Sequence, residues 1–98
     1  MSGLFSAFAD GELAGVGGVT VQTGLAEPAM RMRRLYVHPA YRRGGVARAL
    51  AGAMMQQGFQ TAPLLVLNAA ASPAAPLFWE AIGFERVDWP GVTHALRL

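Results

Sequence analysis

Apolar residues fall in short blocks along this chain, and turn-forming residues separate the blocks. Leu4 to Ala9 is a mostly apolar stretch that stops at Asp10-Gly11, and Leu13 to Thr23, rich in Val and Gly, follows it. Asp-Gly between two such stretches predicts a β-hairpin, because both residues tolerate the positive φ of a tight turn. Gly15, Gly17 and Gly18 weaken the second strand and point to a bulge or a close ligand approach. Gly24 to Pro28 reads as a second turn, and Met30 to Val37 as a third strand. Alternation puts Arg31 and Arg33 on one face of that strand, and Met32 and Arg34 on the other.

The period then changes. From Gly45 to Gln57, Val46, Leu50, Met54 and the alanines recur at helical spacing. Gly58 has the residue type of a helix C′ position, with Phe59 placed to fold back on the last turn. Leu64 to Leu67, after Pro63, is the unbroken apolar run of a strand buried on both faces. Ser72 reads as the N-cap of a helix that opens at Pro73, carries Leu77, Phe78, Trp79 and Ile82, and ends at Gly83. Phe84 to Val87 and Val92 to Leu98 form a closing hairpin around Trp89-Pro90-Gly91. A strand–helix–strand unit between hairpins predicts a right-handed crossover. The expected fold is therefore one α/β domain over residues 1–98. Its sheet is mixed and mostly antiparallel, with a central parallel strand pair and two main helices.

Composition narrows the function. Hydrophobic residues are 53% and charged residues 14% of the 98 residues, which describes a globular chain. A chain of this size buries roughly 60–65% of its unfolded surface, so its core is small. There is no cysteine, which removes disulfides, thiolate metal sites and a thiol nucleophile. No apolar run reaches membrane-spanning length, and Met1-Ser2-Gly3-Leu4 lacks the basic start of a signal peptide. A cytoplasmic chain without membrane contact is expected. All eight basic residues are arginines, and six stand at 31, 33, 34, 42, 43 and 48. They read as a solvated face or as a rim that attracts an anionic ligand. No aromatic interleaving accompanies them, so a nucleic-acid partner is not expected.

The segment with the most chemistry is Leu35-Tyr36-Val37-His38-Pro39-Ala40-Tyr41-Arg42-Arg43-Gly44-Gly45-Val46-Ala47-Arg48-Ala49-Leu50. A strand leads into an Arg/Gly loop, and a helix begins inside the loop. Free backbone N–H groups and the positive helix end there make a seat for a phosphate or diphosphate. The missing Gly-Lys-Ser/Thr excludes a Walker-type nucleotide loop.

The stretch Arg34-Leu35-Tyr36-Val37, followed by Arg42-Arg43-Gly44-Gly45-Val46-Ala47, resembles the acyl-CoA-binding motif of GNAT-type N-acetyltransferases. Ala75-x-x-Phe78-Trp79-Glu80-Ala81-Ile82-Gly83-Phe84 resembles the second signature of that family. The resemblance covers nearly the whole chain and implies an acetyltransferase with acetyl-CoA or coenzyme A as substrate and no metal. It implies that backbone N–H groups from Arg43 to Ala47, with Gly44, Gly45 and Val46 between them, hold the diphosphate. Arg42 and Arg48 would be the supporting charges. It further implies that Leu35, Tyr36 and Val37 lie along the pantetheine arm, with the Leu35 N–H as oxyanion donor, and that Phe78 lines the thioester pocket. Ser72 stands where the family often has an Asn that touches pantetheine.

The chain departs from the family in its proton-transfer positions. Arg31 stands where a glutamate base is common, and Trp79 where a tyrosine acid is common. Neither moves a proton at neutral pH. Glu27, His38, Asp88 and His94 are the other candidate bases, and Tyr36 and Tyr41 the other proton carriers. Two functions follow: acetyl transfer to a small-molecule or peptide amine, or non-catalytic acyl-CoA binding as a module or sensor. The family's opening strand and two helices, which wall the acceptor pocket, have no counterpart in this sequence. A homodimer, or a partner chain completing the acceptor site, is therefore expected.

Overall fold

Three antiparallel pairs of consecutive strands, one parallel crossover and one further helical connection account for the sheet. In the computed structural model, which describes residues 3–98, the elements run β1 (Gly3–Ala9), β2 (Glu12–Gln22), β3 (Ala29–Val37), α1 (Val46–Thr61), β4 (Leu64–Leu67), α2 (Ala75–Ala81), β5 (Glu85–Trp89) and β6 (Val92–Arg97). A 3-10 turn, Pro39–Tyr41, lies between β3 and α1. Six strands form one sheet in the order β1-β2-β3-β4-β6-β5. The β3–β4 pair is parallel and all other pairs are antiparallel. The mixed sheet with a parallel pair and two helices is the one the sequence predicts.

Both helices cover the same face. Leu50, Ala51 and Met54 of α1 and Trp79 of α2 share one buried cluster with Met30, Met32, Leu65 and Leu67. Alternation turns Ala29, Leu64 and Val66 to the opposite face, where they cluster with Val92, Ala95, Leu25, Val87 and Trp89. The molecule measures 43 × 28 × 18 Å, and the thin dimension fits a sheet with one helical layer.

Three local expectations need correction. α1 does not stop before Gly58 but runs on to Thr61. Gly58 is buried inside it, and a Cβ there would lie 2.5 Å from Leu65 Cδ2. The glycine lets α1 press on β4. The helix ends because Pro63 pushes Ala62 into an extended conformation, φ −149° and ψ 154°. The hydrophobic C-terminal cap expected at Gly58-Phe59 occurs at Gly83-Phe84 instead. Gly83 takes φ +115°, its N–H donates to Glu80 O at 3.1 Å, and the Phe84 N–H donates to Trp79 O at 3.0 Å. The Phe84 ring then meets Trp79 edge-on at 5.2 Å.

The second correction concerns Ser72. α2 starts at Ala75 with Ala74 as N-cap and no side-chain capping bond, and only the Ser72 carbonyl takes part, accepting from Ala75 N–H at 3.3 Å. The third concerns β2. A Cβ on Gly15 would meet Leu50 Cδ1 at 2.8 Å, and one on Gly17 would meet Met54 Sδ at 2.5 Å. These glycines admit α1, and the bulge is also present: Ala7 pairs with Gly15 and Phe8 with Leu13, so β2 carries one extra residue there.

Candidate functional site

The site begins with a mismatch between β2 and β3. Gly18 pairs with Arg33 and Val16 with Tyr36, so β3 carries one extra residue across the gap. Arg34 absorbs it with φ +53°, a left-handed conformation unusual for a long side chain. The bulge resets the alternation. Arg34 is exposed and does not share the face of buried Met32, contrary to the simple alternation, and Leu35 packs on the helical core in its place.

β3 also leaves its other neighbour. The parallel ladder joins Ala29 to Leu64, Met30 to Leu65 and Arg31 to Val66, and then stops. β4 continues with β6, pairing Leu67 with His94. Beyond it the Ala69 N–H donates to Thr93 Oγ1 at 2.8 Å, and Asn68 Nδ2 donates to Gly91 O at 3.4 Å. These bonds draw the end of β4 toward β6 and away from β3. Between the diverging strands lies a cleft of about 560 Å³. Leu35, Tyr36, Val37, Arg42, Ala47, Ser72 and Phe78 line it, together with Asn68, Ala69 and the buried Trp79.

Arg43, Gly44, Gly45, Val46 and Arg48 lie outside that lining, in the loop and first turn of α1. Arg43 and Gly45 adopt φ +72° and +83°, so the loop is tightly curled. The first helical bond is Ala49 N–H to Gly45 O at 3.0 Å. Among the described residues, the N–H groups of Arg43, Gly45, Val46, Ala47 and Arg48 find no acceptor in the chain. The Gly44 N–H differs: it donates to Tyr41 O at 3.4 Å. Val46 turns its side chain toward β2, within 3.2 Å of where a Gly15 Cβ would stand. Arg42 ties the loop to the strand, its Nε donating to Val37 O at 3.1 Å and its guanidinium lying 5.8 Å from the Tyr36 ring centre.

The candidate proton carriers scatter. Glu27 pairs with Arg97 at 2.6 Å. His38 caps the 3-10 turn, its Nδ1 accepting from the Ala40 N–H at 3.1 Å. Tyr41 donates to Glu12 Oε1 at 3.2 Å, and burial first, then the Glu12 charge, raise its phenol above the ordinary tyrosine range. Asp88 is exposed on β5. His94 is fully buried, with Nε2 at 2.7 Å from Glu80 Oε2 and Nδ1 at 2.8 Å from Thr93 Oγ1. Glu80 also pairs with Arg86 at 2.9 Å. Its hydrogen bond to His94 holds the Glu80 carboxyl below the ordinary range, opposed by partial burial and helped by Arg86. None of Glu27, His38, Asp88, His94 and Tyr41 lines the cleft, and Tyr36 does.

The arginines divide by place. Arg86 and Arg97 have carboxylate partners, whereas Arg31, Arg33, Arg34, Arg42, Arg43 and Arg48 form no ion pair among the described residues. Arg31 donates to Gln22 Oε1 and to Gly91 O, both at 3.1 Å. Burial, and then the charge of Arg33, lower its guanidinium pKa, yet an arginine remains cationic at neutral pH. All six sit on β3, the loop or the first turn of α1.

Residues 2–98 match the family described as an acetyltransferase (GNAT) domain. The chain belongs to the GNAT acetyltransferase family. Solved structures agree with this GNAT fold. A protein of Exiguobacterium sp. 255-15, named provisionally as an acetyltransferase, is 30% identical with a TM-score of 0.86, over 98% of this chain and 62% of that one. The ribosomal-protein-alanine N-acetyltransferase of Brucella melitensis biovar Abortus 2308 is 26% identical, TM-score 0.73, over 90% of this chain and 66% of that one. The Bacillus subtilis N-acetyltransferase YlbP, solved in complex with coenzyme A, shares the fold at 16% identity and TM-score 0.77, over 97% of this chain and 67% of that one. The GNAT chain thus spans less than two thirds of the Exiguobacterium protein. No curated protein sequence matches it. No helix among the described residues is long and apolar enough to cross a membrane.

Sequence reasoning missed Asn68, Ala69 and Thr93. The end of a parallel strand is where α/β sheets bind ligands, so Asn68 next to Leu67 was a readable signal. Thr93 had none, because its role comes from a strand 24 residues away from Ala69.

Proposed function

We propose that this chain is an N-acetyltransferase that moves an acetyl group from acetyl-CoA to a primary amine by direct attack. The observation that carries the reading is the early end of the β3–β4 ladder at Arg31 and Val66, which leaves the edge of β3 free along the cleft. A pantetheine arm is an extended chain of amides, and a free strand edge hydrogen-bonds such a chain. Leu35, Tyr36 and Val37 would offer that edge, with Ser72 on the facing wall and Phe78 beside the sulfur. The free N–H groups of Arg43, Gly45, Val46, Ala47 and Arg48 would hold the diphosphate. Gly44 keeps the approach open, and the Arg42 and Arg48 charges draw the anion in.

Leu35 follows the left-handed residue of the bulge. Its N–H, directed at the thioester carbonyl, would stabilise the oxyanion as the amine attacks. The amine nitrogen bonds the carbonyl carbon, the carbon–sulfur bond breaks, and the proton lost by nitrogen ends on the coenzyme A sulfur. The names of the Brucella and Bacillus relatives support acetyl transfer and coenzyme A as its carrier.

A second reading is a non-catalytic acyl-CoA-binding module. One observation favours it: among the described residues, no Asp, Glu or His lines the cleft. A general base contributes about 10²–10⁴-fold, so a site without one is slow unless the amine arrives unprotonated.

Calorimetry with acetyl-CoA, followed by thiol release in the presence of an amine panel, separates these readings. The expected result is binding together with amine-dependent release. Binding without release selects the module. No binding of acetyl-CoA or coenzyme A removes both.

A further inference from the structure

A second cavity, also about 560 Å³, lies against β1, β2 and β3. Gly15, Gly17 and Val19 face α1, so alternation turns Val16, Gly18 and Thr20 to the side without helices. Leu4, Val16 and Val21 give this cavity its apolar lining, and Thr20, Arg33 and Arg34 its polar one. Arg33 and Arg34 also line the first cleft. Both cavities are thus bordered by Arg33 and Arg34 of the bulge, next to Leu35.

The charge along that border is of one sign. Neither cavity has an Asp or Glu in its lining among the described residues, and neither Arg33 nor Arg34 has a carboxylate partner. Arg33 uses its Nε on Thr20 Oγ1 at 2.8 Å, which orients the guanidinium and leaves its terminal N–H groups free. A polycationic acceptor would be repelled here. A carboxylate would be held by charge-assisted bonds.

Resting on the acetyltransferase reading, we propose that the acceptor is a small apolar amino acid. Its carboxylate sits on Arg33 and Arg34, its side chain against Leu4, Val16 and Val21, and its amine points past the bulge to the thioester. A cavity of this size suits a small molecule. The same arginines compensate for the missing base. Positive neighbours disfavour an ammonium, so the amine is delivered to the carbonyl as its free base, with the proton already lost to water. The free-base nitrogen then bonds the acetyl carbon and the thiolate leaves. The second proton shed by nitrogen neutralises the thiolate, so the products are the N-acetyl amino acid and coenzyme A.

The test compares leucine, leucinamide and spermidine as acceptors at saturating acetyl-CoA, for the natural chain, Arg33→Gln and Arg34→Asn. Asn tolerates the positive φ at position 34, so that variant keeps the bulge. Leucine is expected to exceed leucinamide in kcat/KM by about tenfold or more, with spermidine last. Each variant should bring the leucine-to-leucinamide ratio toward one. The basicity of each free acceptor is the same whichever protein it meets, so a change in the ratio comes from losing the guanidinium and not from the acceptor. Acetylation of leucinamide or spermidine at least as fast as leucine overturns this acceptor and leaves acetyl transfer standing. A preference for leucine that neither folded variant alters overturns the role of the two arginines. Acetyl-CoA binding without release to any of the three amines overturns the acceptor assignment, and release to none of a wider panel overturns the enzyme reading with it.

Discussion

Gly52 and Gly58 lie in the same helix and differ in what a side chain would meet. A Cβ at Gly52 meets nothing within 4 Å, whereas one at Gly58 would come 2.5 Å from Leu65 Cδ2, in the core. Gly52→Ala should therefore stabilise the fold by about 0.5–1 kcal/mol, the ordinary gain of alanine over glycine inside a helix. Gly58→Ala should destabilise it by about 1 kcal/mol or more, because overpacking outweighs that gain. Denaturant titration of the two variants checks both signs. Glu80 makes a second prediction at this scale. Its carboxyl is held below the ordinary range by His94 first, so its contribution is present above the unfolded-state pKa and is lost as pH falls through the folded one. Melting midpoints should drop as pH falls below about 4.5, and Glu80→Gln should lower the midpoint at pH 7 and flatten the acid limb. In the sequence, Glu80 and His94 were a helix residue and a strand residue with no visible link. They meet because β6 enters between β4 and β5.

At the scale of elements, the loop from Arg42 to Arg48 was legible from its residues, since glycines, arginines and a helix start are local features. The structure adds that Gly45 needs its glycine for φ +83°, while Gly44 has no positive φ and would place a Cβ 3.4 Å from Tyr41 O. Replacing both by valine should weaken acetyl-CoA binding more than tenfold by calorimetry. The left-handed residue costs about 1–2 kcal/mol, so the melting transition should survive. Undiminished affinity would show that the loop does not touch the coenzyme. An irregularity opposite the β2 glycines was legible, but its place on β3 at Arg34 was not. Arg-Arg-Leu gives no local reason for a left-handed residue, and the extra residue exists only relative to β2. The α2 N-terminus misled for a related reason. Ser72-Pro73 has the composition of a cap, but the chain leaving β4 uses those residues in a turn.

Across the whole molecule, charge is sorted by position. The two arginines with carboxylate partners lie on β5 and β6, while the six without one among the described residues lie on β3, in the loop or in the first turn of α1. Binding of acetyl-CoA, a polyanion, should therefore weaken steadily with salt, as the screening length shortens from about 10 Å at 0.1 M to about 3 Å at 1 M. Dissociation constants measured across that range should rise several-fold, and coenzyme A should follow the same trend. An affinity independent of salt would place the coenzyme away from these arginines.

By itself the sequence determined most of the elements, the mixed sheet and the Arg/Gly loop ahead of α1, because hydrophobic period, turn chemistry and glycine placement act over a few residues. Only the tertiary structure decided that β3 parts from β4 after Arg31, that Thr93 anchors the far wall, and that two cavities share Arg33 and Arg34 in their linings. Those features are relations between strands distant in the chain. A register, a bulge or a shared cavity wall has no signature until both partners are in place.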